Sequence, residues 1–150
     1  MKQIFLILVL CPAMLFADAQ QKAVPVLNHF AIYVKNLDSS VAFYTRLFQI
    51  DSIQQPFGND ARVKWFIIKP GIQFHMVEGA NKKVDIPVLT HICFSVPSLT
   101  GFIALLKQNG IAYYDSFRVK DVIQHRPDGI NQIFFQDPDG YWLEVNDAAR

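Results

Sequence analysis

The chain has 150 residues, 51% of them apolar and 18% charged, a composition that excludes a disordered polyelectrolyte. Lys and Arg number 14 against 13 Asp and Glu, and the resulting charge of +1 provides no general field for nucleic-acid backbones or anionic lipid. Two cysteines, Cys11 and Cys93, are too few for a disulfide-stapled scaffold.

The first predicted element is an export signal. Met1–Ala19 carries Lys2, an apolar run from Ile4 to Phe16, and Ala17-Asp18-Ala19 as an A-x-A cleavage site. The run is shorter than the roughly 20 residues of a membrane-spanning helix, and Pro12 interrupts it. Leu10 and Pro12 flank Cys11 in a way that fits lipid attachment poorly, so cleavage after Ala19 and a periplasmic or secreted protein are expected. Without Lys2 and Asp18 the charge is 13 − 12 = +1, and Cys93 is the one cysteine left.

Residues 20–150 read as one domain built from two related modules, about 24–80 and about 86–148. Leu27–Val34 is rich in β-branched and aromatic residues and is the first predicted strand. A helix follows, capped by Asp38 or Ser39 and carrying Val41, Phe43, Tyr44, Leu47 and Phe48 on its apolar side. Strands are expected near Ile50–Gln55, at Val63–Ile68 and at Gly71–Val77, the last two joined by the Lys69-Pro70-Gly71 turn. The order then recurs. Leu89–Val96 is a strand, and a helix capped by Ser98 or Thr100 runs to Gly110. Strands follow near Ile111–Phe117, at Asn131–Gln136 and at Tyr141–Asn146, with Asp137-Pro138-Asp139-Gly140 as a turn and His125 in a polar loop.

The recurrence is visible residue by residue. Val26–Leu37 over Val88–Leu99 matches at five of twelve positions, at an offset of 62. Phe66 over Phe135 and Gly71 over Gly140 give an offset of 69. The difference of 7 implies an insertion of that length in the second module, between Leu99 and Phe135.

Strand alternation sorts the polar residues onto one face. His29, Ala31 and Tyr33 lie opposite Phe30, Ile32 and Val34, and His91, Cys93 and Ser95 lie opposite Ile92, Phe94 and Val96. On the final strands, Gln73, His75 and Val77 correspond to Trp142, Glu144 and Asn146. The repeat therefore pairs His29 with His91 and His75 with Glu144 on faces that helices do not cover. Imidazole and carboxylate are ligands for a divalent ion, and four of them leave two octahedral positions open. The same alternation adds Trp65, Gln132 and Phe134 to Tyr33, Gln73 and Cys93 as substrate-pocket candidates, with Cys93 read as a buried, inert thiol.

The chain resembles the vicinal oxygen chelate superfamily of glyoxalases, bleomycin-resistance proteins and extradiol dioxygenases. The likeness spans about Val24–Asp147. It rests on Asn28-His29-Phe30, Leu37-Asp38-Ser39-Ser40-Val41-Ala42-Phe43-Tyr44, Gln73–Glu78, Thr90-His91-Ile92 and Phe134–Glu144. It implies an α+β fold of two βαβββ modules, a glyoxalase-like fold whose curled mixed sheet encloses a metal cleft. One divalent metal ion, Zn, Ni, Mn or Fe(II), would be held by His29, His75, His91 and Glu144, His75 being the position at which active family members carry Glu, Gln, His or a non-ligand. Glu144 would also act as the catalytic base.

The resemblance implies a metal-dependent lyase or isomerase of glyoxalase type, acting on a small substrate with two vicinal oxygens. The alternatives are an extradiol-type Fe(II) dioxygenase and a metal-free, bleomycin-resistance-like sequestering protein. A glutathione adduct would be an unusual substrate for an exported protein. A homodimer is expected, since many single-chain members build each cleft from modules of two subunits. Neither nucleic acid nor, after signal cleavage, membrane is expected as a partner.

Overall fold

The computed structural model describes residues 24–148. The predicted export signal and Cys11 lie outside them. Each module is a β-strand, a helix and three further strands. The first comprises β1 (His29–Val34), α1 (Leu37–Phe48), β2 (Asp51–Ile53), β3 (Val63–Lys69) and β4 (Ile72–Glu78). The second comprises β5 (His91–Ser95), α2 (Leu99–Gln108), β6 (Gln124–His125), β7 (Asn131–Gln136) and β8 (Trp142–Asn146).

Each sheet has the same order, β1-β4-β3-β2 and β5-β8-β7-β6, with its first and last strands parallel and the other pairs antiparallel. The registers also repeat. Ala31 lies beside His75 and Cys93 beside Glu144, while Trp65 opposes His75 as Phe134 opposes Glu144. His75 and Glu144 are thus equivalent by strand pairing as well as by sequence.

Two local expectations are corrected. The cap of α1 is Asn36, not Asp38 or Ser39: its extended backbone lets the side chain accept the Ser39 N–H at 2.8 Å. The Glu78 carboxylate accepts the Leu37 N–H at 2.7 Å, so two of the orphan donors at the helix start are satisfied and Asp38 falls in the first turn. In the second helix the predicted Ser98 does cap, accepting the Gly101 N–H at 3.0 Å.

The second correction concerns Ile111–Phe117, which is not a strand. The buried Asp115 carboxylate accepts the N–H groups of Phe117 and Val119 at 2.9 and 2.8 Å, turning the chain into a tight loop with Arg118 and Asp121 at positive φ. Only isolated bridges from Tyr114 to Lys120 and Phe134 remain there, and the fourth strand of the sheet is Gln124–His125 instead. This loop falls in the interval where the repeat offsets place an insertion. His125 consequently sits on a strand rather than in a loop, exposed, with Nδ1 hydrogen-bonded to Asn131 Oδ1 at 2.5 Å.

The helix-covered faces of both sheets share one core. Ile32, Val34, Phe74 and Met76 from the first sheet join Phe94, Phe135, Leu143 and Val145 from the second, around Tyr44 and Leu47 of α1 and Phe102 and Leu106 of α2. A polar joint crosses that core. Tyr44 donates to Asp137 Oδ2 at 2.8 Å and Ser40 to Asp139 Oδ2 at 2.6 Å, while the Lys35 N–H reaches Asp139 Oδ1 at 2.7 Å. The Asp137–Gly140 turn of the second module is thereby keyed into the first helix. By alternation, the faces bearing His29, His75, His91 and Glu144 turn away from this core.

Candidate active site

On the first sheet, β1 and β4 run parallel as neighbours, and this brings His29 within 5.3 Å of His75 between ring centroids. Trp65 from β3 stacks on His75 at 4.2 Å with an interplanar angle of 3°, and its ring lies 5.4 Å from His29. His29 is exposed, and its Nδ1 donates to Asn28 Oδ1 at 2.7 Å, which leaves Nε2 as a lone pair. The His75 Nδ1 is buried without a hydrogen-bond partner. Burial first, and then the neighbouring His29, hold the His75 imidazole below the usual histidine range. His75 is therefore neutral at pH 7, the form in which imidazole ligates metals.

On the second sheet, His91 Nδ1 donates to the Val88 carbonyl at 2.9 Å. A carbonyl can only accept, so a neutral His91 turns the lone pair of Nε2 toward Glu144 Oε2, 3.1 Å away. Two acceptors at that distance require a positive charge between or on them, a proton on Nε2 or a bound cation. A backbone carbonyl behind an imidazole is also the support that a metal-ligating histidine has. The other carboxylate oxygen, Oε1, accepts from Asn146 Nδ2 at 2.9 Å and from Cys93 Sγ at 3.2 Å, and Arg126 Nη1 lies 4.0 Å from it. Glu144 is 6% exposed and oriented on both oxygens. His91 Nε2 and Glu144 Oε2 are two donors of the kind that a divalent ion takes.

The two histidine sites repeat each other. At equivalent positions, His29 and His91 each donate Nδ1 locally and leave Nε2 for another group. Yet the four candidates form two pairs, one per sheet. Among the described residues no group of three or more His, Cys, Asp or Glu side chains is gathered that could hold a metal ion.

The pocket candidates divide similarly. Trp65 lines a cavity of about 320 Å³ with His75, and Phe134 packs edge-on against His91 at 5.2 Å. Gln132 is buried and donates to Gln124 Oε1 at 3.3 Å, which makes it part of the sheet's packing. Gln73 is half-buried and pairs with His29 along the strands. Tyr33 is 51% exposed and lines a separate cavity of about 680 Å³ with Lys82, Lys83 and Tyr141, away from the histidines. Cys93 is exposed rather than buried, on β5 at the edge of its sheet, and it contacts both Glu144 and Asn146.

Three contributors escape sequence reasoning. Asn146 shares the inner face with Glu144, and its alternation could have drawn it into the site. Arg126 sits in a polar turn and approaches Glu144 only through the β6–β7 hairpin. Phe57, in the loop before β3, packs edge-on against Trp65 at 5.9 Å.

Comparison with known proteins identifies the family and the fold. The family model "Glyoxalase/Bleomycin resistance protein/Dioxygenase superfamily" matches residues 26–145, and the chain belongs to that family. It is 28% identical to Glyoxylase I 4 of Arabidopsis thaliana over 79% of this chain and 68% of that protein. It is also 28% identical to a lactoylglutathione lyase of Pseudomonas putida, over 80% of this chain and 83% of that one. Among solved structures, a mutant of the fosfomycin resistance protein FosX from Listeria monocytogenes superposes with a TM-score of 0.66 at 22% identity. That match covers 85% of this chain and 93% of the other, whose structure contains Mn(II) and 1S,2S-dihydroxypropylphosphonic acid. The likeness establishes the glyoxalase-like fold.

Proposed function

We propose that the chain is an exported, divalent-metal-dependent enzyme of glyoxalase type, a lyase or isomerase of a small substrate with two neighbouring oxygens. We propose further that its site is completed between two copies of the chain. One observation carries this reading: His29 and His91, equivalent in the repeat, both spend Nδ1 on a local acceptor and keep Nε2 available, His91 directly against Glu144. Export rests on Met1–Ala19, and the mature protein is expected to begin at Gln20, as an intact-mass measurement would read.

His29 and His91, with Glu144 and His75, are the residues that would hold the ion. When bound, it supplies Lewis acidity toward two adjacent substrate oxygens. Glu144 moves the proton. Asn146 and Cys93 hold Oε1, so Oε2, which faces His91, is the oxygen that on loosening from the ion would take a proton from the substrate carbon and return it to its neighbour. Two open faces, one from each module type, suit a cleft closed by a second copy, which would exclude water from the proton transfer.

Metal analysis of the purified protein after reconstitution tests the reading. About one equivalent of zinc, nickel, manganese or iron(II) per chain is expected, and less than about 0.2 equivalents for all four overturns it. Oxygen uptake with a catechol, supported by iron(II) alone, would replace the lyase by a dioxygenase.

A further inference from the structure

The cavity beside His75 is bounded by a loop that turns Gln55 and Asp60 back onto its own groups. Gln55 Nε2 donates to the carbonyls of Asp60 and Val63 at 2.8 and 3.0 Å, and Gln55 Oε1 accepts the Asp60 N–H at 3.3 Å. The Asp60 carboxylate is occupied by Arg62, whose Nη2 and Nε lie 2.7 and 3.1 Å from it. Toward the cavity the loop sets Phe57, 74% exposed and held edge-on to Trp65, with Val63 and Val77 alongside and Gln55, Asn59 and Asp60 also in the wall. No Lys or Arg lines the space of about 320 Å³, and Lys64 belongs to the alternate face of its strand. A volume at the small end of ligand pockets, walled by two aromatic rings, suits a single ring or a branched alkyl group. An anionic group would be desolvated there with no Lys or Arg to pair with and with the Asp60 carboxylate in the wall.

We infer that the Phe57–Trp65 cavity is a binding site for an uncharged, planar hydrocarbon group of the substrate, so that the enzyme selects aryl-bearing substrates over phosphonates and carboxylate-bearing peptide adducts. The inference deepens the function proposed above and rests on it only for what happens at the adjoining ion.

Benzyl alcohol and ethylphosphonate are the probes, titrated into the full-length protein and read by tryptophan emission, first with chelator present and then with zinc restored. Trp65 and Trp142 are the two tryptophans, and Trp142 is buried in the other module. Benzyl alcohol is expected to quench emission saturably with or without metal, and ethylphosphonate not to compete with it. Trp65→Phe should remove the signal, Phe57→Ala should weaken binding about fivefold, the scale of one aromatic contact, and Phe57→Tyr should restore it. Because Phe57 is exposed, its replacement leaves the core intact. Quenching that survives Trp65→Phe, a Phe57→Ala affinity within about twofold of native, or ethylphosphonate binding as tightly as benzyl alcohol would each overturn the inference. Metal uptake is measured on the same samples. A protein that binds benzyl alcohol but no metal overturns the proposed enzyme and keeps the pocket, whereas one that binds metal normally but not benzyl alcohol overturns the pocket alone.

Discussion

Asp137 shows how one side chain can hold two modules together and make their union depend on pH. It is 4% exposed, with Oδ2 accepting from Tyr44 and Oδ1 from the N–H groups of Asp139 and Tyr141. Burial outweighs those bonds and pushes its carboxyl up to about 6, while Tyr44 is raised well above the usual phenol range, by burial and then by Asp137. The folded value exceeds the reference of 3.8, so the folded state holds the extra proton. The resulting stability is full below about pH 4 and is lost as pH rises through about 6, on the order of 3 kcal/mol in all. Asp137→Asn keeps both acceptor bonds on Oδ1 and removes the titration. Urea unfolding at intervals from pH 3.5 to 7.5 should show the native-minus-variant difference falling by about that amount, and a constant difference would contradict it. At this scale the candidate ligands were readable, because the two-residue period of a strand sorts side chains to faces without reference to the rest of the molecule. The exposure of Cys93 was not, since it depends on β5 lying at the edge of its sheet.

At the scale of elements, the Asp137–Gly140 turn is constrained from both sides. Gly140 has φ of 91°, and a Cβ there would meet the Val84 carbonyl oxygen at 2.5 Å, beside the bond from the Val84 N–H to the Asp139 carbonyl. Gly110 after α2 also has positive φ, 67°, but a Cβ there would meet nothing within 4 Å. Gly140→Ala is accordingly expected to lower unfolding free energy by about 3 kcal/mol or more, and Gly110→Ala by only about 1. Equal losses in denaturant titrations would show that the contact with Val84 does not matter. Asn36→Ala should remove about 1 kcal/mol through the lost cap. Turns and helices marked by Pro, Gly and Ser98 were legible because their signals are local. The Ile111–Phe117 strand failed because its apolar residues are strand-like, whereas the buried Asp115 carboxylate captures two backbone N–H groups and bends the chain. That capture needs a burial that the residue type does not announce. The cap of α1 was misplaced for a related reason, since Glu78 reaches the helix start from 41 positions away.

For the whole molecule, the repeat in the sequence and the repeat in the fold are the same, and the shared core explains why the two pairs of candidate ligands stand apart. Each module covers one face of its sheet with helix and packs that face against the other module, so the opposite faces look outward. Pairing of His29 with His91 and of His75 with Glu144 was legible from the repeat. Their separation was not, because symmetry of a sequence equates positions without stating whether equivalent modules face one another. If two copies complete each site, damage to the two halves must complement. His29→Ala/His75→Ala destroys the first half and His91→Ala/Glu144→Gln the second, so each protein alone should bind almost no metal. Mixed in equal amounts and allowed to exchange subunits, they would form mixed dimers with one intact site each, about a quarter of an equivalent of metal per chain at random exchange. Recovery of that quarter-equivalent is the predicted result. A mixture that binds no more metal than its separate components, under conditions where the native protein binds one ion per chain, would contradict a site shared between two copies.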